Sequence, residues 1–224
     1  NIGAFTVPFA KKVGERGEVY AFEPQKLIYE ILQDNVNKNK LNNVRVLNVG
    51  VGKKEEVLEL NDIDYSKVGN FGGVSFKYES SSFTKNIKDK KYKVKITYLD
   101  KLIEITKCNF VKIDVELMEL DVLVGGINFL KKFRPILWIE NHQKYPNKIN
   151  KFLLKNDYKP YWVYSKAFNE SNYFLNDINY YGELATLNTL AIPKEDYRFS
   201  MDKKFDKIID SYTKPITLLG KQIK

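Results

Sequence analysis

The feature that most constrains the fold is an alternation of two periodicities along the chain. Short apolar runs bounded by Gly, Asn or charged residues read as buried strands: Val19–Phe22, Val44–Val49, Phe110–Val115, Pro135–Ile139 and Leu187–Ile192. Between them lie segments whose apolar residues recur at helical spacing. Phe5, Phe9, Ala10 and Val13 mark a helix over 5–13 that Gly14 and Gly17 end. Pro24 opens a second, with a stripe of Leu27, Ile28, Ile31 and Leu32. Leu120, Leu123, Val124, Ile127 and Leu130 share one face of a third, and Lys148–Leu154 forms a fourth. Glu56–Leu60, Val74–Tyr78, Tyr92–Thr97 and Tyr158–Tyr164 read as further strands, Asp100 as the cap of a short helix Lys101–Ile105, and the tail from Glu195 as helical and basic. Strands alternating with helices predict an α/β fold with a mostly parallel central sheet flanked by helices. Ligands of such sheets bind at the carboxyl ends of the strands.

At 224 residues the chain is long enough for one sizeable core, so a single domain over 1–224 is expected, with its core in 1–193 and a basic tail in 194–224. Its formal charge is +9, from 37 basic and 28 acidic residues. The lysines are spread along the chain, which argues against nucleic acid as a partner. Lys85, Lys88, Lys90, Lys91, Lys93 and Lys95 read as a solvated loop and strand edge. The lone cysteine, Cys108, forms no internal disulfide and has no histidine near it in sequence, so it fits a reducing, cytoplasmic setting better than nucleophilic catalysis. No apolar run is long enough to cross a membrane and no signal peptide is recognisable. Nothing in the pattern sets an oligomeric state.

The strand ends are where chemistry is expected. Asn1-Ile2-Gly3-Ala4-Phe5-Thr6 precedes a helix, whose free amides and nearby glycine suit close approach of a ligand. Glu23, at the end of Tyr20-Ala21-Phe22-Glu23-Pro24, follows that glycine by about twenty residues, the spacing at which an acid accepts from ribose hydroxyls in nucleotide-binding α/β folds. As a carboxylate at a helix start it is also favoured by the helix dipole. Asn48-Val49-Gly50-Val51-Gly52 leaves room for a flat ring. Lys112-Ile113-Asp114-Val115-Glu116 and Trp138-Ile139-Glu140-Asn141-His142 end two further strands. Their carboxylates are placed to converge on one pocket, where they would hold a cation, orient an acceptor hydroxyl or take its proton, or else form ion pairs with nearby lysines. His142 is the only histidine and stands at such an end.

Taken in order, these pieces resemble the FkbM-type methyltransferases. The pieces are Asn1-Ile2-Gly3, Ala21-Phe22-Glu23-Pro24, Asn70-Phe71-Gly72-Gly73, Tyr98-Leu99-Asp100, Lys112-Ile113-Asp114-Val115-Glu116 with Met118-Glu119, and Ile139-Glu140-Asn141-His142, and the match runs from Asn1 to about Pro193. The resemblance implies a Rossmann-like class I methyltransferase fold that uses S-adenosyl-L-methionine. Asn1, Gly3 and Thr6 would then lie along the methionine part of the cofactor, Glu23 and Pro24 at the ribose, and Gly50 and Val51 beside the adenine. Asn70 would close the pocket, and Asp114 would lie near the sulfonium and the acceptor. Asp114, Glu140 and Asn141 are also similar to the acid, acid and amide set that holds magnesium in catechol-type methyltransferases, although the FkbM resemblance itself requires no metal. Two departures stand out. The family has an apolar strand, an acid and a Gly-Ala pair ahead of the position of Asn1, so the opening strand is expected to be missing from this chain. It also usually has glycine after the residue matching Glu116, where this chain has Leu117.

The expected reaction is methylation of a hydroxyl on a sugar or small natural product, with His142, Asp114 and Glu116 as candidate proton acceptors. The chain has no Asn/Asp-Pro-Pro-Tyr/Phe motif of the kind that serves amino groups of nucleobases. Two other readings remain open: a nicotinamide-dependent oxidoreductase, which would use the same glycine turn and Glu23 but lacks a full G-x-G-x-x-G, and a non-catalytic basic binding module on a degenerate core.

Overall fold

The computed structural model describes residues 1–66, 71, 87–102, 105–141, 147–172, 175–198 and 206–214. It divides into two compact units, Asn1–Leu102 and Ile103–Lys224. The expected strand Val74–Tyr78, Asn70 and His142 lie outside the described residues.

In the first unit, α1 (Thr6–Val13) leads into β1 (Val19–Phe22), α2 (Lys26–Lys38) and β2 (Val44–Leu47). β1 and β2 pair in parallel, Val19 opposite Val44 and Phe22 opposite Leu47. Ala21, Leu32 and Val36 form the core beneath α2, with Leu41, Val44 and Val46 against them. The buried stripe of α2 is Ile28, Leu32 and Val36, while Leu27 and Ile31 of the expected stripe are exposed. Each precedes a buried residue by one position, and one residue is about 100° of helix. β2 stops at Leu47, earlier than expected, because Asn48 turns back: its side-chain amide donates to the carbonyls of Glu23 (2.8 Å) and Pro24 (3.2 Å). β3 (Gly50–Val51) runs parallel to β5 (Ile87–Thr97), and β4 (Glu56–Ile63) pairs antiparallel with β5. Asp100 lies inside a 3₁₀ helix, Leu99–Leu102, rather than capping a helix from 101.

In the second unit five strands stand in the order β10-β8-β9-β7-β6. They are β6 (Phe110–Ile113), β7 (Ile136–Glu140), β8 (Tyr158–Lys166), β9 (Ala185–Pro193) and β10 (Asp206–Lys207). β6 and β7 are parallel; β7–β9, β8–β9 and β10–β8 are antiparallel. Antiparallel ladders thus replace much of the expected mostly parallel sheet: the link between β8 and β9, residues 167–184, holds no helix among its described residues, whereas parallel neighbours need a crossover. Tyr161, Val163, Leu190 and Ile192 make one core cluster, against which Ile136 and Trp138 pack. The helix expected through Leu120–Leu130 is two, α3 (Glu119–Gly125) and α4 (Ile127–Phe133), because the weak helix formers Gly125 and Gly126 interrupt it. α5 (Lys148–Lys155) is capped by the Asn147 side chain, which accepts from the Asn150 amide. The tail is not helical among the described residues. Asp206 and Lys207 extend the sheet, Ile208 is buried, its amide donates to the Pro160 carbonyl, and the Trp162 indole donates to the Thr213 carbonyl. No helix among the described residues is long and apolar enough to cross a membrane.

Candidate functional site

Two groups of predicted residues are brought together, one in each unit. In the first unit the chain turns at Gly3, whose φ of +106° is open to glycine and strained for other residues. The Gly3 carbonyl accepts from the Val7 amide at the start of α1, with Thr6 as the first residue of that helix. Glu23 follows β1 and is buried. Its Oε2 forms an ion pair with the terminal ammonium of Asn1, and its Oε1 accepts from the Gln25 amide at 2.9 Å. The structure thereby joins Asn1 to Glu23 across the whole of α1 and β1. Gly50 and Val51 are both buried. A Cβ on Gly50 would lie 2.5 Å from Ile96 Cδ1 and 3.6 Å from Pro24 Cβ, so the backbone there runs close to the Glu23-Pro24 turn.

Beside Glu23 stand residues to which the sequence pattern assigned no role. The Gln25 side chain accepts from the Tyr65 hydroxyl at 2.9 Å and donates to the Phe71 carbonyl at 3.0 Å. The Tyr65 and Phe71 rings are 5.0 Å apart. Burial, followed by the charges of Asp62 and Glu23, pushes the Tyr65 hydroxyl up to about 12, and Tyr92 is raised for the same reasons together with Tyr65 itself. Tyr65 remains a neutral donor at physiological pH. No local motif announces Tyr65. The only signal for Gln25 was its place directly after Glu23-Pro24.

In the second unit the ends of β6 and β7 bring three carboxylates together. Oxygens of Asp114, Glu116 and Glu140 lie within 4.8 Å of one another. Lys112 forms an ion pair with Asp114. Glu116 and Leu117 both take left-handed backbone conformations, φ 49° and 76°. The buried Glu119 carboxylate holds this turn, one oxygen accepting from the amides of Val115 and Leu117, each at 3.2 Å. Burial, then the Asp114 and Glu116 charges and a hydrogen bond with Asp114, push Glu140 up to about 8. Burial raises Glu116 too, with Asp114 and Glu119 adding to the effect and Lys112 opposing it. The trio has the electrostatics of a proton-sharing site and the oxygen donors that a hard cation uses. Asn141 is engaged elsewhere. Its amide nitrogen donates to Asn150 (3.0 Å) and Thr189 (2.7 Å), and its oxygen accepts from Asn147 (2.8 Å). Glu116 is the third group that meets Asp114 and Glu140.

A recess of about 450 Å³ lined by Arg134, Asp157, Lys194, Glu195 and Tyr197 lies at the opposite end of β7. The Arg134 guanidinium there already donates to Glu195 and to the carbonyls of Asn156 and Asp157, which makes it a structural clamp. Burial pushes the Cys108 thiol up, so it is not a thiolate nucleophile at neutral pH.

Comparison with known proteins bears on these arrangements. A crystal structure of an FkbM methyltransferase from Methylobacillus flagellatus KT is similar in fold, with a TM-score of 0.50 and 15% identity; the match covers 84% of this chain and 41% of that one. The chain therefore spans less than half the length of that protein. No curated protein matches this chain. The sequence model of the methyltransferase FkbM domain matches residues 1–160, a stretch that begins at the Gly3 turn, contains both carboxylate groups and reaches into β8. On that match, the chain belongs to the FkbM methyltransferase family.

Proposed function

We propose that the chain is an S-adenosyl-L-methionine-dependent methyltransferase with a Rossmann-like core, transferring a methyl group to a hydroxyl of a sugar or small natural product. The observation that carries this reading is Glu23. Its carboxylate is buried behind a glycine turn and held by the Gln25 backbone amide, in a chain whose family match spans both units. A carboxylate has about four lone-pair sites, and the bond from Gln25 leaves capacity for the ribose hydroxyls. Gly3, with Asn1 and Thr6, is assigned to the methionine end, and Pro24, Gly50 and Val51 to the nucleoside; Asn70 keeps its proposed part in closing the pocket. Because the family match passes without interruption from the first unit into the second, we take 1–224 as a single methyltransferase domain.

When bound, the cofactor supplies a methyl group on a sulfonium. Transfer to a hydroxyl would leave the acceptor with a proton to lose. Alignment of acceptor and methyl is the protein's main contribution, worth roughly 7–11 kcal/mol. Asp114 and Glu116 are assigned to orient the acceptor hydroxyl and draw off its proton, with His142 as a further candidate base. Glu140, raised toward neutrality, stores the proton it shares with Asp114. The chemistry needs no metal, and a divalent cation held by the trio would replace the shared proton. With a single cysteine the chain needs no internal disulfide, which supports a reducing, cytoplasmic setting.

Calorimetric titration with S-adenosylhomocysteine tests this reading. Binding by the wild type, weakened about 10- to 100-fold in Glu23→Ala, is expected from loss of charge-assisted hydrogen bonds. Binding of a nicotinamide dinucleotide instead would move the assignment to an oxidoreductase. Binding of neither by a folded chain would leave a non-catalytic module.

A further inference from the structure

The geometry points to Gln25 as the positioning residue of the nucleoside site, clamping an aromatic wall of Tyr65 and Phe71 beside Glu23. This inference rests on the cofactor reading of Glu23 proposed above. Gln25 is buried, and each of its polar groups but the backbone carbonyl is committed to a different part of the site. Its backbone amide donates to Glu23 Oε1, which fixes that carboxylate. Its side-chain oxygen accepts from the Tyr65 hydroxyl, and its side-chain nitrogen donates to the Phe71 carbonyl. Tyr65 and Phe71 are forty and forty-six positions away in sequence, so one side chain ties a distant segment to the turn that carries the acid. The two rings meet at 5.0 Å with their planes tilted by 54°, and the charge of Glu23 reaches the Tyr65 hydroxyl. A flat heterocycle linked to a ribose needs both an acid for the sugar hydroxyls and a ring face for the base, and Gln25 sets the two in register.

The test is calorimetry on the whole chain with two probes, S-adenosylhomocysteine and adenosine. Gln25→Met keeps the volume and removes both side-chain hydrogen bonds, and Tyr65→Phe removes only the hydroxyl. Gln25→Met is expected to weaken both probes by the same factor, about 10-fold, and Tyr65→Phe by about 3-fold. The double variant should bind no worse than Gln25→Met alone, since both break one clamp. A purely structural role would instead lower the melting temperature and leave probe affinity unchanged in the folded fraction. Wild-type affinity in both single variants overturns the inference and leaves the cofactor reading standing. A wild type that binds neither probe overturns the cofactor reading and this inference with it. If Gln25→Met does not fold, Tyr65→Phe decides.

Discussion

Replacing Glu140 by glutamine should make the protein more stable at pH 8 and flatten its stability between mildly acidic and mildly basic pH. The ordinary carboxylate value of 4.5 is raised in the folded chain to about 8 by burial and by the charges of Asp114 and Glu116. Below about pH 4.5 the side chain is protonated in both folded and unfolded chains and costs nothing. Between that point and about pH 8 the unfolded chain has lost the proton while the folded chain still holds it. The unfolded state then binds fewer protons, so stability falls as pH rises across this window, and the loss is complete above it. Glu140 is only partly buried, so solvent screening reduces the full linkage energy to something on the order of 1–2 kcal/mol. For a chain of this size that is about 2–8 °C in melting temperature. Glutamine carries no titrating proton and its amide can donate to Asp114 in place of the shared one. Thermal unfolding followed by circular dichroism, from pH 5 to 8.5 with a chelator present, reads the effect. The two melting curves should coincide at the acid end and separate as pH rises, the variant lying higher. Parallel pH dependences would refute the assignment of the shared proton to Glu140. Repeating the series with magnesium tests occupancy of the trio: a bound cation would raise the wild-type melting temperature at pH 8 and leave Glu140→Gln unmoved.

Other substitutions test the packing around the two groups. Gly50→Ala should destabilise by about 1–3 kcal/mol in chemical denaturation, since the new methyl would lie 2.5 Å from Ile96 Cδ1 and Ile96 is fully buried. Asn141→Leu should cost about 1–3 kcal/mol by leaving buried groups of Asn147, Asn150 and Thr189 without their partner, and wild-type stability would show that the amide network is dispensable. Leu117→Gly should stabilise by about 0.5–1 kcal/mol, because relief of the left-handed conformation outweighs the extra freedom that glycine gains in the unfolded chain. An unchanged or lower denaturation midpoint would show that the part-buried Leu117 side chain contributes more than its strained backbone takes away.

How far the fold was legible follows from which forces act locally. β1 was read to the residue, because a short apolar run between polar turns has little else to become. The helices with a strong apolar stripe were found. In α2 the expected stripe held Ile28 and Leu32, which are buried, together with Leu27 and Ile31, which are exposed: all four are apolar, and only packing against Val44 and Val46 decides which pair turns inward. Strand direction was the poorer reading. Parallel and antiparallel pairing depend on how distant segments meet, and nothing within Tyr158–Lys166 says that Ala185–Pro193 will return beside it. Where the tail is described, at Asp206 and Lys207, it differs from the expected helix for the same reason, since that strand exists only against Tyr161 and Trp162. Glu23, Asp114 and Glu140 were legible because strand ends can be counted along the chain. Gln25, Tyr65 and Phe71 were not, because their relation is a contact across tens of residues.

The departure at Leu117 shows what a sequence exception can mean once the backbone is known. A bulky residue stands here where the family usually has glycine. The structure keeps Leu117 at φ 76°, a conformation natural to glycine, and α3 begins directly afterwards at Glu119. The turn has therefore not relaxed to suit leucine. Holding Glu116 and Leu117 there costs about 1–2 kcal/mol each. Two hydrogen bonds from Val115 and Leu117 to the buried Glu119 carboxylate oppose that cost, and bonds to a charged acceptor are worth about 1.5–3 kcal/mol each. The conformation matters because it carries Glu116 to within 4.8 Å of Asp114 and Glu140. The substitution thus bears on stability while the carboxylate geometry is kept, and the residue that keeps it is Glu119. Glu119→Gln, which retains an acceptor oxygen but not its charge, should lower the melting temperature of the Leu117 chain more than that of Leu117→Gly, in which only Glu116 still has to be held in the left-handed region.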